Sequence, residues 1–197
     1  MNNHFDSHFQ KSVVTILPGE YFSTSDDVLI STVLGSCISI ALFDPVKIIG
    51  GLNHFMLPYS SKNFSITPEE QGRYGDFAIE LLINDMLKKG CKKEDLKAKV
   101  FGGSNVLENG GYYQNRTGLN NISFALNYLE TEKIPILAND TGGIFPRKIF
   151  FDPKTFKVYL KRIQRSDIAM DEIKKRENAY RESIQKEQPK AGDITWF

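Results

Sequence analysis

The chain has 197 residues with a formal net charge of +1, and its 41% hydrophobic content suits one folded domain rather than a disordered chain. The balanced charge argues against nucleic-acid binding, and two cysteines are too few for the disulfide framework of a small secreted protein. Because the first ten residues lack signal-peptide features and the longest nearly apolar run (38–43) cannot cross a bilayer, we expect a cytoplasmic protein that is not inserted in the membrane.

The first part of the chain is predicted to be mostly β-structure. Residues 1–12 show no clean hydrophobic period, and a flexible N-terminal arm is expected at 1–14. A β-rich stretch follows at 27–43, and Gly35-Ser36 interrupts it in a way typical of a bulge or a close backbone approach. A second strand at 48–57 follows without room for a crossover, so the sheet is not expected to be purely parallel.

Helices and strands alternate further along the chain. Apolar residues at helical spacing predict a helix at 76–89 and a second helix capped by Asn120 or Asn121. Further strands are predicted at 96–101, 134–138, 148–151 and 155–162. The strand at 134–138 is expected to be buried, and the last two strands are expected to form a hairpin. These elements predict the mixed α/β (α+β) class, as a layered sandwich of mixed β-sheets with helices packed on the outside.

The C-terminal residues differ in character from the rest. Charge dominates from 164 to 188, and the apolar stripe Ile173, Tyr180 and Ile184 predicts an amphipathic helix on the domain surface or on a partner. The expected organisation is a flexible arm at 1–14, a folded domain at 15–162, and an amphipathic helix with a tail at 163–197.

Histidine and cysteine supply the candidates for chemistry. His4 and His8 have a metal-ligand spacing, but the arm has no helix signal and no further ligands, so we interpret them as solvated residues and predict no metal site. Cys37 and His54 are the one Cys/His pair in ordered-looking sequence, and a thiol beside an imidazole gives a nucleophile with its general base. A buried, purely structural Cys37 is the alternative. Cys91 is interpreted as structural, and the paired glycines match no phosphate loop, so no cofactor is predicted.

Several separate motifs, in order, resemble the chemoreceptor glutamine deamidase family CheD, from about residue 15 to 162. The motifs are LGSCISIALFDP (34–45), GGLNHFMLP (50–58), RYGDFAIELLINDMLKKG (73–90), KVFGG (99–103) and NDTGG with a following PRK (139–148). The resemblance implies a cysteine-dependent protein-glutamine deamidase that converts specific chemoreceptor glutamines to glutamate in chemotaxis and releases ammonia.

The resemblance also implies residue roles. The nucleophile falls on Cys37 and the general base on His54, with the backbone N–H groups of Ser36 and Cys37 as the oxyanion site. The third catalytic position of the family is usually a threonine six residues before the cysteine, which is Ser31 here. A regular strand places Ser31 on the face of Cys37, so Ser31 is the predicted third residue. Thr32 remains the alternative, because a bulge before the cysteine shifts the alternation of side chains and puts Thr32 on the face of Cys37.

The partners implied by the resemblance are the cytoplasmic helical region of chemoreceptors, as substrate, and a CheC-type phosphatase. Two other functions stay open: a mainly regulatory binding module that acts through such a phosphatase, and a thiol hydrolase that acts on the glutamine of another protein. The presence of both Cys37 and His54 favours catalysis, because binding alone needs no thiol–imidazole pair.

Overall fold

The computed structural model describes residues 1–58, 72–106, 116–164, 170–171, 173–175 and 178–179. Within these residues ten strands form two five-stranded sheets, sheet A in the order β1-β2-β4-β9-β10 and sheet B in the order β3-β6-β5-β7-β8. The strands are β1 (Asn2–Asp6), β2 (Lys11–Thr15), β3 (Tyr21–Thr24), β4 (Val28–Leu34), β5 (Ile38–Asp44), β6 (Ile49–Asn53), β7 (Lys97–Gly102), β8 (Ile136–Thr141), β9 (Arg147–Phe151) and β10 (Val158–Arg162). The α-helices are α1 (Gly75–Lys88) and α2 (Thr117–Thr131), and a 3-10 turn spans Lys93–Asp95.

Both sheets are mixed, as predicted. Strand β2 runs parallel to β4 and β7 runs parallel to β8, while the other neighbouring strands are antiparallel. The layers follow from the burial of the side chains. One apolar cluster, with Ile30 and Phe151 from sheet A and Leu52 and Phe101 from sheet B, lies between the sheets. A second cluster joins the other face of sheet B to α1 and α2, so the predicted mixed α/β sandwich with outer helices is confirmed.

The C-terminal residues of the described chain pack on this sandwich. Residues 170–171, 173–175 and 178–179 are helical. Met170 and Ile173 are buried against Val106 and Ile163. The remainder of the predicted helix and its aromatic tail lie outside the described residues. No helix in the described part of the chain is long and apolar enough to cross a membrane.

Two edge strands differ from their sequence-based expectations. The residues predicted as a flexible arm form β1 and β2, an antiparallel hairpin whose second strand joins β4. Strand β1 is exposed along almost its whole length, so it carries no alternation of apolar and polar residues to reveal it. Strand β8 begins at Ile136 and exposes Leu137, because it is the edge of sheet B rather than a buried strand.

The predicted β-rich stretch 27–43 is two strands in different sheets. Strand β4 belongs to sheet A and β5 to sheet B, and residues 35–37 carry the chain from one sheet to the other. We call residues 35–37 the crossing segment. Because the chain changes sheets here, the alternation of side chains along β4 does not continue into β5.

Candidate active site

The crossing segment is held by its carbonyl oxygens, all of which accept hydrogen bonds. The bonds run from the backbone N and Oγ of Ser104 to Gly35 O (2.8 Å each), from Asn121 Nδ2 to Ser36 O (2.9 Å) and from Gly103 N to Cys37 O (2.8 Å). The peptide bonds are trans, so each N–H points away from the carbonyl of the same peptide group. The N–H groups of Ser36 and Cys37 therefore point away from Ser104 and Asn121.

The KVFGG motif supplies the close approach that this arrangement needs. Gly102 has a φ of +115°, and a Cβ built there would collide with Cys37 O. Glycine alone combines this backbone conformation with so close a contact. The two residues after it, Gly103 and Ser104, provide the donors described above.

Cys37 and His54 lie on the same face of sheet B. Ile38 and Phe55 exchange two backbone hydrogen bonds of 3.0 Å, so Cys37 stands opposite Met56 and diagonal to His54. Ile38 and Phe55 face the helices, and Cys37 and His54 consequently face sheet A. The backbones of diagonal neighbours on one face of two adjacent strands lie about 7–8 Å apart, a distance that an aromatic ring can span.

The two side chains line the same open cavity, of about 100 Å³. Cys37 is 6% exposed and His54 2% exposed, so both are largely shielded from bulk water. The other lining residues are mostly apolar: Thr15, Ile16, Leu17, Pro18, Thr32, Val33, Gly35, Met56 and Ile173. Ile173 extends the wall of the cavity with a residue from the C-terminal helix, which was expected to lie on the surface or on a partner.

Thr32 determines which ring nitrogen of His54 carries the proton. Its Oγ1 donates to Ile16 O at 2.9 Å and lies 2.7 Å from His54 Nδ1. A hydroxyl has one proton to donate, so Oγ1 must accept from Nδ1–H in the second bond. The neutral ring then carries its proton on Nδ1 and its lone pair on Nε2, which is the arrangement a general base needs.

Ser31, the predicted third residue, lies on the opposite face of β4. Its Oγ is 2.9 Å from the Oγ1 of Thr15, the residue paired with it on β2. The expectation that Ser31 orients His54 is therefore corrected to the alternative, Thr32. The physical reason is the crossing segment: Thr32 faces sheet B together with Ile30, and no regular strand connects β4 to Cys37.

Asn121 is the residue whose role the sequence analysis missed. It was considered as a helix cap, but α2 begins at Thr117 and Asn121 lies in its second turn, with no exposed surface. Its Nδ2 donates to Ser36 O and Met56 O, at 2.9 Å each. The spacing of residues indicates this burial, because Asn121 precedes Phe124 and Ala125 by three and four residues and so lies on the same buried face of the helix.

The other candidate residues lie away from this cavity. His4 is exposed on β1 and His8 follows in the adjoining turn, where its ring contacts Phe9. Cys91 belongs to the apolar cluster on the helix side of sheet B. Burial and the neighbouring carboxylate of Asp44 raise the pKa of the Cys91 thiol to about 11, so this thiol stays protonated at neutral pH.

Comparison with known proteins places the chain in a family. The family model described as CheD chemotactic sensory transduction matches residues 56–162. A "Probable chemoreceptor glutamine deamidase CheD 1" from Shewanella oneidensis is 46% identical over 196 residues, covering 100% of this chain and 93% of the relative. A "Probable chemoreceptor glutamine deamidase CheD" from Methylobacillus flagellatus is 40% identical, over 100% of this chain and 95% of the relative.

A "Probable chemoreceptor glutamine deamidase CheD" from Herminiimonas arsenicoxydans is 41% identical, over 100% of this chain and 94% of the relative. Among solved structures, the Bacillus licheniformis hypothetical protein YfiH aligns with a TM-score of 0.38 and 12% identity, over 63% of this chain and 49% of that one. That similarity is too low to bear on fold or function, whereas the full-length matches confirm the resemblance seen in the motifs. The chain belongs to the CheD family.

Proposed function

We propose that this chain is a cytoplasmic, cysteine-dependent protein-glutamine deamidase. Its substrates are specific glutamines in the cytoplasmic helical region of chemoreceptors, which it converts to glutamate in chemotaxis. The names of the relatives support the reaction and the substrate class. The observation that carries the proposal in this chain is the Thr32–His54 hydrogen bond, because it leaves a lone pair on His54 Nε2 beside the cavity that Cys37 lines.

The reaction begins with the transfer of a proton from Cys37 Sγ to His54 Nε2. The thiolate then attacks the side-chain amide carbon of the glutamine and forms a tetrahedral oxyanion. The N–H groups of Ser36 and Cys37 are the donors for that oxyanion, since the carbonyl oxygens of Gly35 and Ser36 are held on the other side of the backbone.

Protonated His54 next gives its proton to the departing nitrogen, and ammonia leaves as the C–N bond breaks. A thioester between Cys37 and the substrate remains. His54 then takes a proton from a water molecule, which attacks the thioester and releases the glutamate side chain and the thiol. During both the formation and the hydrolysis of the thioester, Thr32 accepts from Nδ1–H, so the ring keeps Nε2 directed at the reacting atoms.

The cavity suits one extended side chain rather than a segment of polypeptide. At about 100 Å³ it is smaller than the sites of about 300–1,000 Å³ that hold drug-sized ligands. Leu17, Pro18, Met56 and Ile173 provide apolar contacts for the methylene groups of a glutamine. This size favours a single glutamine side chain that projects from a receptor helix over a bound stretch of extended polypeptide.

The test is release of ammonia from purified cytoplasmic receptor fragments, with mass spectrometry to locate each converted glutamine. Cys37→Ala should abolish release and leave the thermal unfolding midpoint close to that of the wild type. Cys91→Ala is the matched control, because both cysteines are 6% exposed, and it should retain activity. His54→Gln should lower kcat by about 10²- to 10⁴-fold, the usual contribution of a general base.

Activity in Cys37→Ala and loss in Cys91→Ala would refute the assignment of the nucleophile. A folded wild-type protein that releases no ammonia from any receptor fragment would refute the proposed reaction and leave the regulatory role that the resemblance allows. The CheC-type phosphatase stays a prediction of the resemblance.

A further inference from the structure

The antiparallel pairing that brings the chain near Cys37 beside the chain near His54 ends at Ile38 and Phe55. Ile38 and Phe55 form its last backbone pair, and Leu57 N donates to Arg73 O (3.2 Å) instead of continuing the ladder to Ser36. Ser36 O, which a continued ladder would pair with Leu57 N, accepts from Asn121 Nδ2 instead, at 2.9 Å. The same Nδ2 also donates to Met56 O at 2.9 Å.

The chemistry of this position requires a group with two hydrogens to donate. Two carbonyl oxygens cannot bond to each other, and the NH₂ group of an asparagine offers one hydrogen to each. The two acceptors also determine the orientation of the Asn121 amide, with Nδ2 toward the strands. Asn121 Oδ1 has no hydrogen-bond partner within the described ranges, so the polar contacts of this side chain there are those of its NH₂ group.

We infer that Asn121 is a positioning residue that aims the oxyanion donor of Cys37. The inference rests on the proposed function. The carbonyl of Ser36 and the N–H of Cys37 belong to one rigid, planar peptide group, so a bond that holds the oxygen also sets the direction of the N–H. The second bond, to Met56 O, ties this peptide to the chain two residues after His54. One amide thus sets the position of the proposed oxyanion donor relative to the general base.

Two reactions of Cys37 separate this role from a merely structural one. Alkylation by iodoacetamide needs the thiolate but forms no oxyanion. Acylation by p-nitrophenyl acetate needs both the thiolate and an oxyanion intermediate. The proton of Cys37 passes to His54, the Sγ–C bond forms through the oxyanion, and p-nitrophenolate leaves as the C–O bond breaks. Neither reagent requires a receptor, and the site of labelling is read from the mass of the Cys37 peptide.

Asn121→Leu keeps the approximate shape of the side chain and removes both donors. It should slow acylation of Cys37 by about tenfold or more, whereas alkylation should stay within about twofold, since loss of a direct oxyanion donor costs about 10²- to 10³-fold. Asn120→Leu, at the exposed neighbouring position, is the control and should change neither rate. If Asn121→Leu does not fold, Asn121→Ala is measured for the same contrast.

An equal loss of both rates would overturn the inference, because it would mean that Asn121 supports the fold alone. Unchanged acylation would overturn it as well. Deamidation of receptor fragments is measured separately on the wild-type protein. Its absence would refute the proposed function, and a selective loss of acylation in Asn121→Leu would still establish the positioning of Cys37.

Discussion

Replacing Thr32 by valine removes one hydroxyl and keeps the branched shape of the side chain. Two hydrogen bonds are lost, to Ile16 O and to His54 Nδ1. Because Thr32 is 1% exposed and His54 2% exposed, little water can replace the hydroxyl at Nδ1. The ring is then free to adopt the other tautomer, in which Nε2 carries the proton and cannot accept one from Cys37.

The size of the effect follows from the charge on the ring during the reaction. In the proposed reaction His54 becomes positively charged when it takes the thiol proton, and a hydrogen bond to a charged group contributes about 1.5–3 kcal/mol. If that contribution is lost in the transition state, kcat falls by about 10- to 150-fold. Thr32→Ser retains the hydroxyl and should restore most of the rate.

Ser31→Ala is the matched control, since Ser31 is adjacent, fully buried and also bears a hydroxyl. It removes the 2.9 Å contact with Thr15 and should lower the free energy of unfolding by about 0.5–1.5 kcal/mol, with kcat unchanged. The assay is the initial rate of ammonia release from a receptor fragment, with denaturant unfolding of each variant. A collapse of activity in Ser31→Ala, with Thr32→Val unaffected, would refute the reasoning.

Two further predictions concern Cys91 and Ile173. Since the Cys91 pKa is raised to about 11, its thiolate forms only as the pH approaches that value. Iodoacetamide at pH 8 should therefore label Cys37 and spare Cys91, as read from peptide masses. Equal labelling of the two cysteines at pH 8 would contradict the interpretation of Cys37 as the reactive thiol and Cys91 as a structural one. Ile173→Ala should raise KM for a receptor fragment, because Ile173 lines the cavity wall. It should leave kcat unchanged when the enzyme concentration is taken as the amount of Cys37 that iodoacetamide can alkylate. A fall in kcat at constant KM would instead place the C-terminal helix in the chemistry.

The elements predicted well are those with one buried and one exposed face. Helix α1 was expected at 76–89 and spans Gly75–Lys88, since its apolar spacing is regular and Gly90 follows it. The hairpin of β9 and β10 was also expected, and β9 begins one residue earlier than predicted. In both cases the local pattern of side chains carries the information, because burial alternates with the period of the element.

The errors in the fold have a different cause, which is that edge strands need no alternation. Strand β1 exposes nearly all of its side chains, and β8 exposes Leu137 and the two residues after it. Their stability comes from backbone hydrogen bonds to β2 and β7, which no pattern of side chains records. Asn121 shows the same limit in a helix, because its partners are backbone carbonyls 65 and 85 residues away in sequence.

The choice between Ser31 and Thr32 depended on a feature that only the fold contains. Counting back from Cys37 assumes one continuous strand, but the chain leaves sheet A after Leu34 and enters sheet B at Ile38. The hydroxyl that reaches His54 must project from sheet A into the space between the sheets. On β4 that face belongs to Ile30, Thr32 and Leu34. The hydroxyl partner of His54 is therefore selected by the face of β4 that meets sheet B. Its distance in sequence from Cys37 is a consequence of how the chain crosses between the sheets.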